Sequence, residues 1–284
     1  MGIGLIVDSC CDLTPEMKEA MRARSVPLQV QVLDGGEYWD DGTVDIEALI
    51  ADMAKSKHGA KSACPSVEAF AAHMREYDSC FVVTLSSKLS GSFNAACVAR
   101  DIVQEESPEK RIHVIDSESA SAGEVVLAMF IHEQIQSGKS DEEILPLVLE
   151  KVASMRTLFV LEDLGNFIKN GRISKVPGLI ASVLSLCPVM GDDGHGDIKL
   201  VAKARGIANA LGKLVEQVEA LTAAHPVRSL RLTLAHCNCL KRAEALKQDL
   251  LNKCQAIKEI VVVPTGALST MYANNGGVIV AFGV

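Results

Sequence analysis

Between residues 3 and 155, short apolar runs alternate with amphipathic stripes, and few folds are compatible with that alternation. Ile3–Val7, Phe81–Leu85 and Ile112–Ile115 are short, strongly apolar runs that read as buried strands. Helical patterns fill the intervals. Thr14 caps one helix and Pro15 takes its first position. Ile46, Leu49, Ile50 and Met53 form an apolar stripe, and Ser66–Tyr77 and Phe93–Val103 follow as further helices. Ala122–Ile135 ends near Gly138, and Ser140 with Glu143 forms a capping box for Asp141–Met155. Val26, Leu28, Val30 and Val32 alternate with Pro27, Gln29 and Gln31, which predicts one strand covered on one face. Strands that alternate with helices in this way predict a mostly parallel sheet with helices on both faces.

The pattern changes after residue 155. Thr157–Leu161 reads as a strand, and Leu164–Lys169 as a short helix stopped by Asn170-Gly171. An uncharged stretch, Val176–Leu186, comes next. Gly191–Gly196 predicts a hairpin turn before an alternating strand, Asp197–Ala204. Helices over Ile207–Ala223 and Leu240–Asn252 flank a strand at Leu230–Ala235, and strands at Ile260–Val263 and Val278–Phe282 close the chain. The expected architecture is α/β in two domains: residues 1–155 around the parallel sheet and a smaller α+β domain, 156–284, with a mixed sheet.

Composition excludes several function classes. The 284 residues carry a net charge of −8, whereas a nucleic-acid partner calls for clustered Lys and Arg. Val176–Gly191 is uncharged but holds Pro177 and Pro188 and falls short of the roughly 20 residues that cross a bilayer. The start has no basic segment or cleavage site, and the nine cysteines include no C-x-x-C pair. A cytoplasmic protein with reduced thiols and no stable membrane insertion is expected.

The P-loop, the nucleophile elbow, the H-E-x-x-H zinc motif and the dinucleotide fingerprint are all absent. His236-Cys237-Asn238-Cys239 lacks a second cluster for a metal, so no metal or cofactor is expected. What the sequence offers instead are polar residues at strand ends. Asp8-Ser9, Ser62, Ser86–Ser92 and Asp116-Ser117 stand in loops that a parallel sheet brings to one edge. Asp8 and Asp116 read most simply as caps of the helices that follow. The 86–92 loop holds more hydroxyls than one helix end uses and precedes a helix N-terminus, where unpaired N–H groups and the helix dipole favour an anion. Phosphate, carboxylate and oxyanion all remain open on these residues alone. Arg172, just past a helix-ending glycine, reads equally as an anion contact or as a surface cation near a helix C-terminus.

The segments IVDSCCDLTPE (6–16), KSACPSVEAF (61–70), TLSSKLSGSFNAA (84–96), VIDSESAS (114–121) and LEDLGNFIKNGRISK (161–175) occur in the order and spacing of the DegV family, which the chain resembles almost end to end. The resemblance implies a long-chain fatty acid held between two α/β domains and presented to a separate ATP-dependent kinase that makes an acyl phosphate. It implies no catalysis by this chain itself. Carried over by position, it places the fatty-acid carboxylate on Ser62 and Ser90, with Gly91 allowing close backbone approach. Arg172, Ser92 and Thr265 are implied as further anion or partner contacts, and the uncharged segment Gly178–Leu186 reads equally as one wall of an acyl tunnel or as a plain core helix. The chain departs from the family where H-T-G-P-G becomes Pro264-Thr265-Gly266-Ala267-Leu268, and where T-S-Q becomes Ser62-Ala63-Cys64. The lost histidine favours lipid binding over participation in phosphorylation. A phosphotransferase or hydrolase using the same loop, and a regulatory module with a degenerate lipid site, are the alternative expectations.

Overall fold

The computed structural model describes residues 2–173, 186–224 and 229–284. Four parallel strands form the first sheet in the order β2 (Arg24–Val26), β1 (Gly4–Asp8), β6 (Ser79–Thr84), β7 (Arg111–Asp116). Strand alternation sends its apolar residues to both faces. Ile6, Cys80 and Val82 pack with Phe70, Ala96 and Ala99 of α3 (Val67–Met74) and α4 (Ser92–Glu106). Leu5, Val7, Phe81 and Val83 pack on the other face against α5 (Ala122–Gln136). The expected helix-covered parallel sheet is present.

Six strands form the second sheet, in the order β10 (Ile198–Ala202), β9 (Val189–Asp192), β8 (Met155–Val160), β13 (Val278–Gly283), β11 (Leu230–His236), β12 (Ile257–Pro264). All of its pairings are antiparallel except β11 with β12, so the sheet is mixed as expected. Its outer face, including Leu158, Val160, Leu234, Val280 and Phe282, is covered by α8 (Ile207–Ala224) and α9 (Leu240–Lys253). Its inner face, including Phe159, Met190, Ala235 and Ile279, joins the core that α5 shares with the first sheet. Helix α5 is therefore enclosed by both sheets. This accounts for a helix buried along Ala122–Met129 with no polar side facing water.

The segment read as one strand from Val26 to Val32 is two. Pro27 lacks an N–H for a sheet ladder, and the chain bends there. Beyond it, β3 (Gln29–Val32) joins a three-stranded antiparallel sheet between β4 (Glu37–Trp39) and β5 (Ala60–Ala63), both too short and polar to stand out in the sequence. The other helices are α1 (Pro15–Met21), α2 (Ile46–Lys55), α6 (Asp141–Ser154), α7 (Gly165–Lys169) and α10 (Ala267–Ala273). Thr14 caps α1 and Ser140 closes the capping box of α6, as expected. Among the described residues no helix is long and apolar enough to cross a membrane.

Candidate functional site

The strands of the first sheet end facing the inner side of the second sheet, and a cavity of about 870 Å³, its mouth included, lies there. One wall comes from Cys10, Leu85 and the 118–121 loop of the first unit. The other comes from Thr157 and Phe159 of β8, Ile198 of β10 and Ile279 of β13. Phe159, Phe167 and Tyr272, from β8, α7 and α10, stand in a row along it with ring centroids 5.8 and 4.6 Å apart. Most of the lining is apolar, which suits a hydrocarbon chain.

Ser62, Ser90 and Arg172 meet at this cavity. Ser62 is set by β5, opposite Val30 of β3. Ser90 ends the loop before α4. Cys64, just past β5, packs so closely on Gly91 that a Cβ there would lie 3.3 Å from its sulfur, and this contact holds the two loops together. No side chain caps α4, whose N-cap is Gly91. Arg172 is turned back by a glycine C-cap. Gly171 has φ +72°, and the Arg172 amide donates to Phe167 O at 3.0 Å. Its Nε then donates to Leu89 O at 3.0 Å and its Nη1 to Asn170 O, which brings the guanidinium against the loop that carries Ser90.

Most hydroxyls around the cavity are spent on the protein itself. Ser86 donates to Gly196 O at 2.8 Å and so fastens the β9–β10 hairpin over the site. Ser119 and Thr157 share a hydrogen bond of 2.7 Å, and Ser121 donates to Asp12 Oδ2 at 2.5 Å. The Ser90 oxygen accepts the Ser92 amide at 3.2 Å, leaving its hydroxyl proton to donate outward. The Ser62 hydroxyl takes part in no hydrogen bond among the described residues. Two half-buried serines and a guanidinium thus line one largely apolar cavity. On the other side of the Leu89–Ser90–Arg172 wall lies a polar groove lined by Ser87, Lys88, Gly91 and Asp197.

Ser92 and Thr265 are not in the lining. Ser92 is fully buried and donates to Asp8 Oδ2 at 2.6 Å. Thr265 is buried beside Thr270, 2.8 Å between hydroxyls, because the α10 N-terminus turns it inward. Pro264 lies exposed at the end of β12. Asp8 and Asp116 do not cap helices. Asp8 accepts the amides of Cys10 (3.1 Å) and Leu85 (3.0 Å) besides Ser92, and Asp116 accepts those of Ser87 and Glu118 at 3.1 Å. Both fix the shape of the anion loop. The proposed tunnel wall Gly178–Leu186 lies outside the described residues apart from Leu186.

The sequence reading missed a set of buried carboxyls behind the cavity. Asp12 accepts Gly266 N at 2.7 Å, and Asp40 accepts Ala267 N and Leu268 N at 2.7 and 3.1 Å, so these two fill the α10 N-terminus. Burial pushes Asp8 up to about 6 and Asp12 up to about 7, and raises Asp40 and Glu124. Ser269, a cavity residue not singled out from sequence, lies near Asp12, but its buried hydroxyl closes no hydrogen bond of normal geometry. Among the described residues no group of three or more His, Cys, Asp or Glu is placed to hold a metal ion.

The family model described as "Uncharacterised protein, DegV family" matches residues 2–283. A DegV domain-containing protein of Streptococcus pyogenes serotype M1 is 32% identical over 285 residues, 98% of either chain. A DegV family structure from Ruminococcus gnavus ATCC 29149, refined with vaccenic acid, is 37% identical with a TM-score of 0.92, covering 98% of this chain and 99% of that one. The Streptococcus pneumoniae Fatty Acid Kinase (Fak) B3 protein, loaded with linoleic acid, is 30% identical with a TM-score of 0.89 over 100% of both chains.

Proposed function

This chain belongs to the DegV family, and on that premise we propose that it binds one long-chain fatty acid in the cavity between its two sheets, as a lipid-binding protein rather than an enzyme. The observation that carries the reading is that Ser62, Ser90 and Arg172 line the same, largely apolar cavity, with neither serine hydroxyl donating a hydrogen bond among the described residues. The carboxylate sits on Ser62 and Ser90, close to the Gly91 backbone and the α4 N-terminus. Arg172 supplies positive charge and holds the loop. Ser92 and Thr265 act behind this site, through Asp8 and the α10 N-terminus. The acyl chain lies along Phe159, Phe167 and Tyr272. Each buried methylene contributes about 0.8 kcal/mol, so the tail supplies most of the affinity, and the carboxylate contacts set the direction in which the acid lies.

The carboxylate end then points toward the polar groove with Lys88 and Arg172, where a separate ATP-dependent kinase subunit would reach it. The absence of a histidine at Pro264 leaves that second role to be tested separately from lipid binding. The reading divides the chain at residue 155, where α6 gives way to β8, so that the ligand lies between the two domains. All nine cysteines are free, which supports a reducing compartment such as the cytoplasm.

Native mass spectrometry of the purified protein tests the reading. The expected spectrum shows a 1:1 adduct whose mass, after organic extraction, is that of a long-chain fatty acid. Protein that carries no acid and acquires none when incubated with oleate or palmitate would remove the proposal.

A further inference from the structure

Glu124 is buried on the first turn of α5, and neither of its carboxyl oxygens has a hydrogen-bond partner. It faces Asp8 and Cys10 without closing a hydrogen bond of normal geometry to either. An ionised carboxylate in such a place costs several kcal/mol, so Glu124 holds its proton. Asp8 is different, because its two amide donors and the Ser92 hydroxyl favour the charged form. Ser92 connects Asp8 to the cavity edge: its hydroxyl donates to Asp8 Oδ2 at 2.6 Å, and its amide donates to Ser90 Oγ at 3.2 Å.

The surroundings of the pair are acidic. From the segment after β1 it is faced by Cys10, Cys11 and Asp12, with Asp40 beyond Asp12. From the second sheet, Cys237 lies within reach of the Asp12 charge. Burial raises all three thiols, which stay neutral near pH 7. Among the described residues, the cation whose charge reaches this cluster is Lys18 of α1.

We propose that the protein takes up a proton together with its fatty acid, and that the buried Asp8–Glu124 pair is where that proton is held. The proposal rests on the carboxylate being bound at Ser90. A ligand carboxylate there adds a negative charge one serine away from Asp8, in an interior that already holds several carboxyls. Like charges at close range in low dielectric drive one of them to protonate. Burial, opposed by its hydrogen bonds, sets Asp8 at about 6, so near pH 7 it is largely ionised and able to accept the proton. A carboxylic acid free in water titrates near the ordinary carboxyl range of about 4 and arrives as the anion, so the proton comes from solvent. One carboxylate and one proton enter, and the charge of the filled protein equals that of the empty one. The pair titrates as a unit, holding one proton when the cavity is empty and two when it is filled. Affinity for the acid therefore rises as pH falls from 8 to 6.

Calorimetric titration with oleate at pH 7, in phosphate and in Tris, tests this, because the difference in heat between buffers counts the protons exchanged. The expected result is net uptake by the wild-type protein, a Kd several-fold weaker at pH 8 than at pH 6, and no uptake with oleyl alcohol, which carries no charge. Asp8→Asn keeps an acceptor for the Leu85 amide and the Ser92 hydroxyl, gives up the one for the Cys10 amide, and is expected to lose the uptake. Tight oleate binding with equal heats in both buffers overturns the inference and leaves the fatty-acid reading standing. Uptake that persists in Asp8→Asn overturns the assignment to the pair. Failure of oleate to bind at all overturns the fatty-acid reading and this inference with it.

Discussion

Replacing Ser62 and Ser90 together by alanine is expected to weaken oleate binding by about two orders of magnitude or more while leaving the fold intact. Each hydroxyl donates to a charged acceptor, and such a hydrogen bond contributes about 1.5–3 kcal/mol. Neither side chain is needed by the protein's core. Both are half-buried, and the Ser62 hydroxyl makes no internal hydrogen bond among the described residues. The tail contacts are unchanged in the double variant, so methyl oleate, which lacks the anion, should lose little. Competition titrations with oleate and methyl oleate on both proteins check this. Equal losses for the two ligands would show that the serines shape the cavity instead of holding a carboxylate.

Asp12→Asn is expected to change how stability depends on pH. Burial, reinforced by the neighbouring Asp40 and opposed by the hydrogen bonds from Ser121 and Gly266, pushes Asp12 up to about 7 from an ordinary 3.8. Between these values the folded protein keeps a proton that the unfolded chain has released. The contribution of this group to stability therefore falls as pH rises from about 4 to about 7, and it is constant above that. A shift of this size corresponds at most to about 4 kcal/mol, at 1.36 kcal/mol per pH unit. Asparagine keeps an acceptor for the Gly266 amide and offers Ser121 a donor, so the variant retains the local geometry without the buried charge. Urea unfolding should give nearly equal stabilities for the two proteins at pH 5 and a variant more stable by about 2 kcal/mol or more at pH 8. A difference that stays constant between these pH values would contradict the assignment.

The regular elements were legible because their causes are local. Thr14-Pro15, Ser140 with Glu143, and Asn170-Gly171 mark helix ends through their own hydrogen bonds and backbone preferences, and the structure has helix boundaries at each. The split at Pro27 and the strands β4 and β5 were not legible. Their pairing is decided by partners 6 to 10 residues away for β4 and 28 to 34 for β5, and Lys61 and Ser62 give β5 no apolar signal. Helix α10 was hidden for a related reason. Its N-terminus is filled by Asp12 and Asp40, more than 225 residues distant in sequence.

The candidate site divides in the same way. A surplus of hydroxyls in the 86–92 loop was visible in the sequence, and so was Arg172 behind Gly171. Which hydroxyls are spent was not visible. Ser92 goes to Asp8, Ser86 to the β9–β10 hairpin, and Ser121 to Asp12, and each pairing depends on tertiary packing. Nor does an alternation of apolar residues announce Glu124, an acidic residue on a helix first turn, as a buried carboxyl without a partner. The nearest sequence signal was Asp8 in IVDSCCDL, which reads as a cap.

A crystal structure of the protein with oleate tests the central claim most directly. The account predicts one acyl chain between the sheets, running along Phe159, Phe167 and Tyr272. Its carboxylate oxygens should lie at hydrogen-bond distance, about 2.5–3.0 Å, from Ser62 Oγ and Ser90 Oγ. An acid bound in the opposite direction, with its carboxylate away from both serines, or bound outside this cavity, would contradict it.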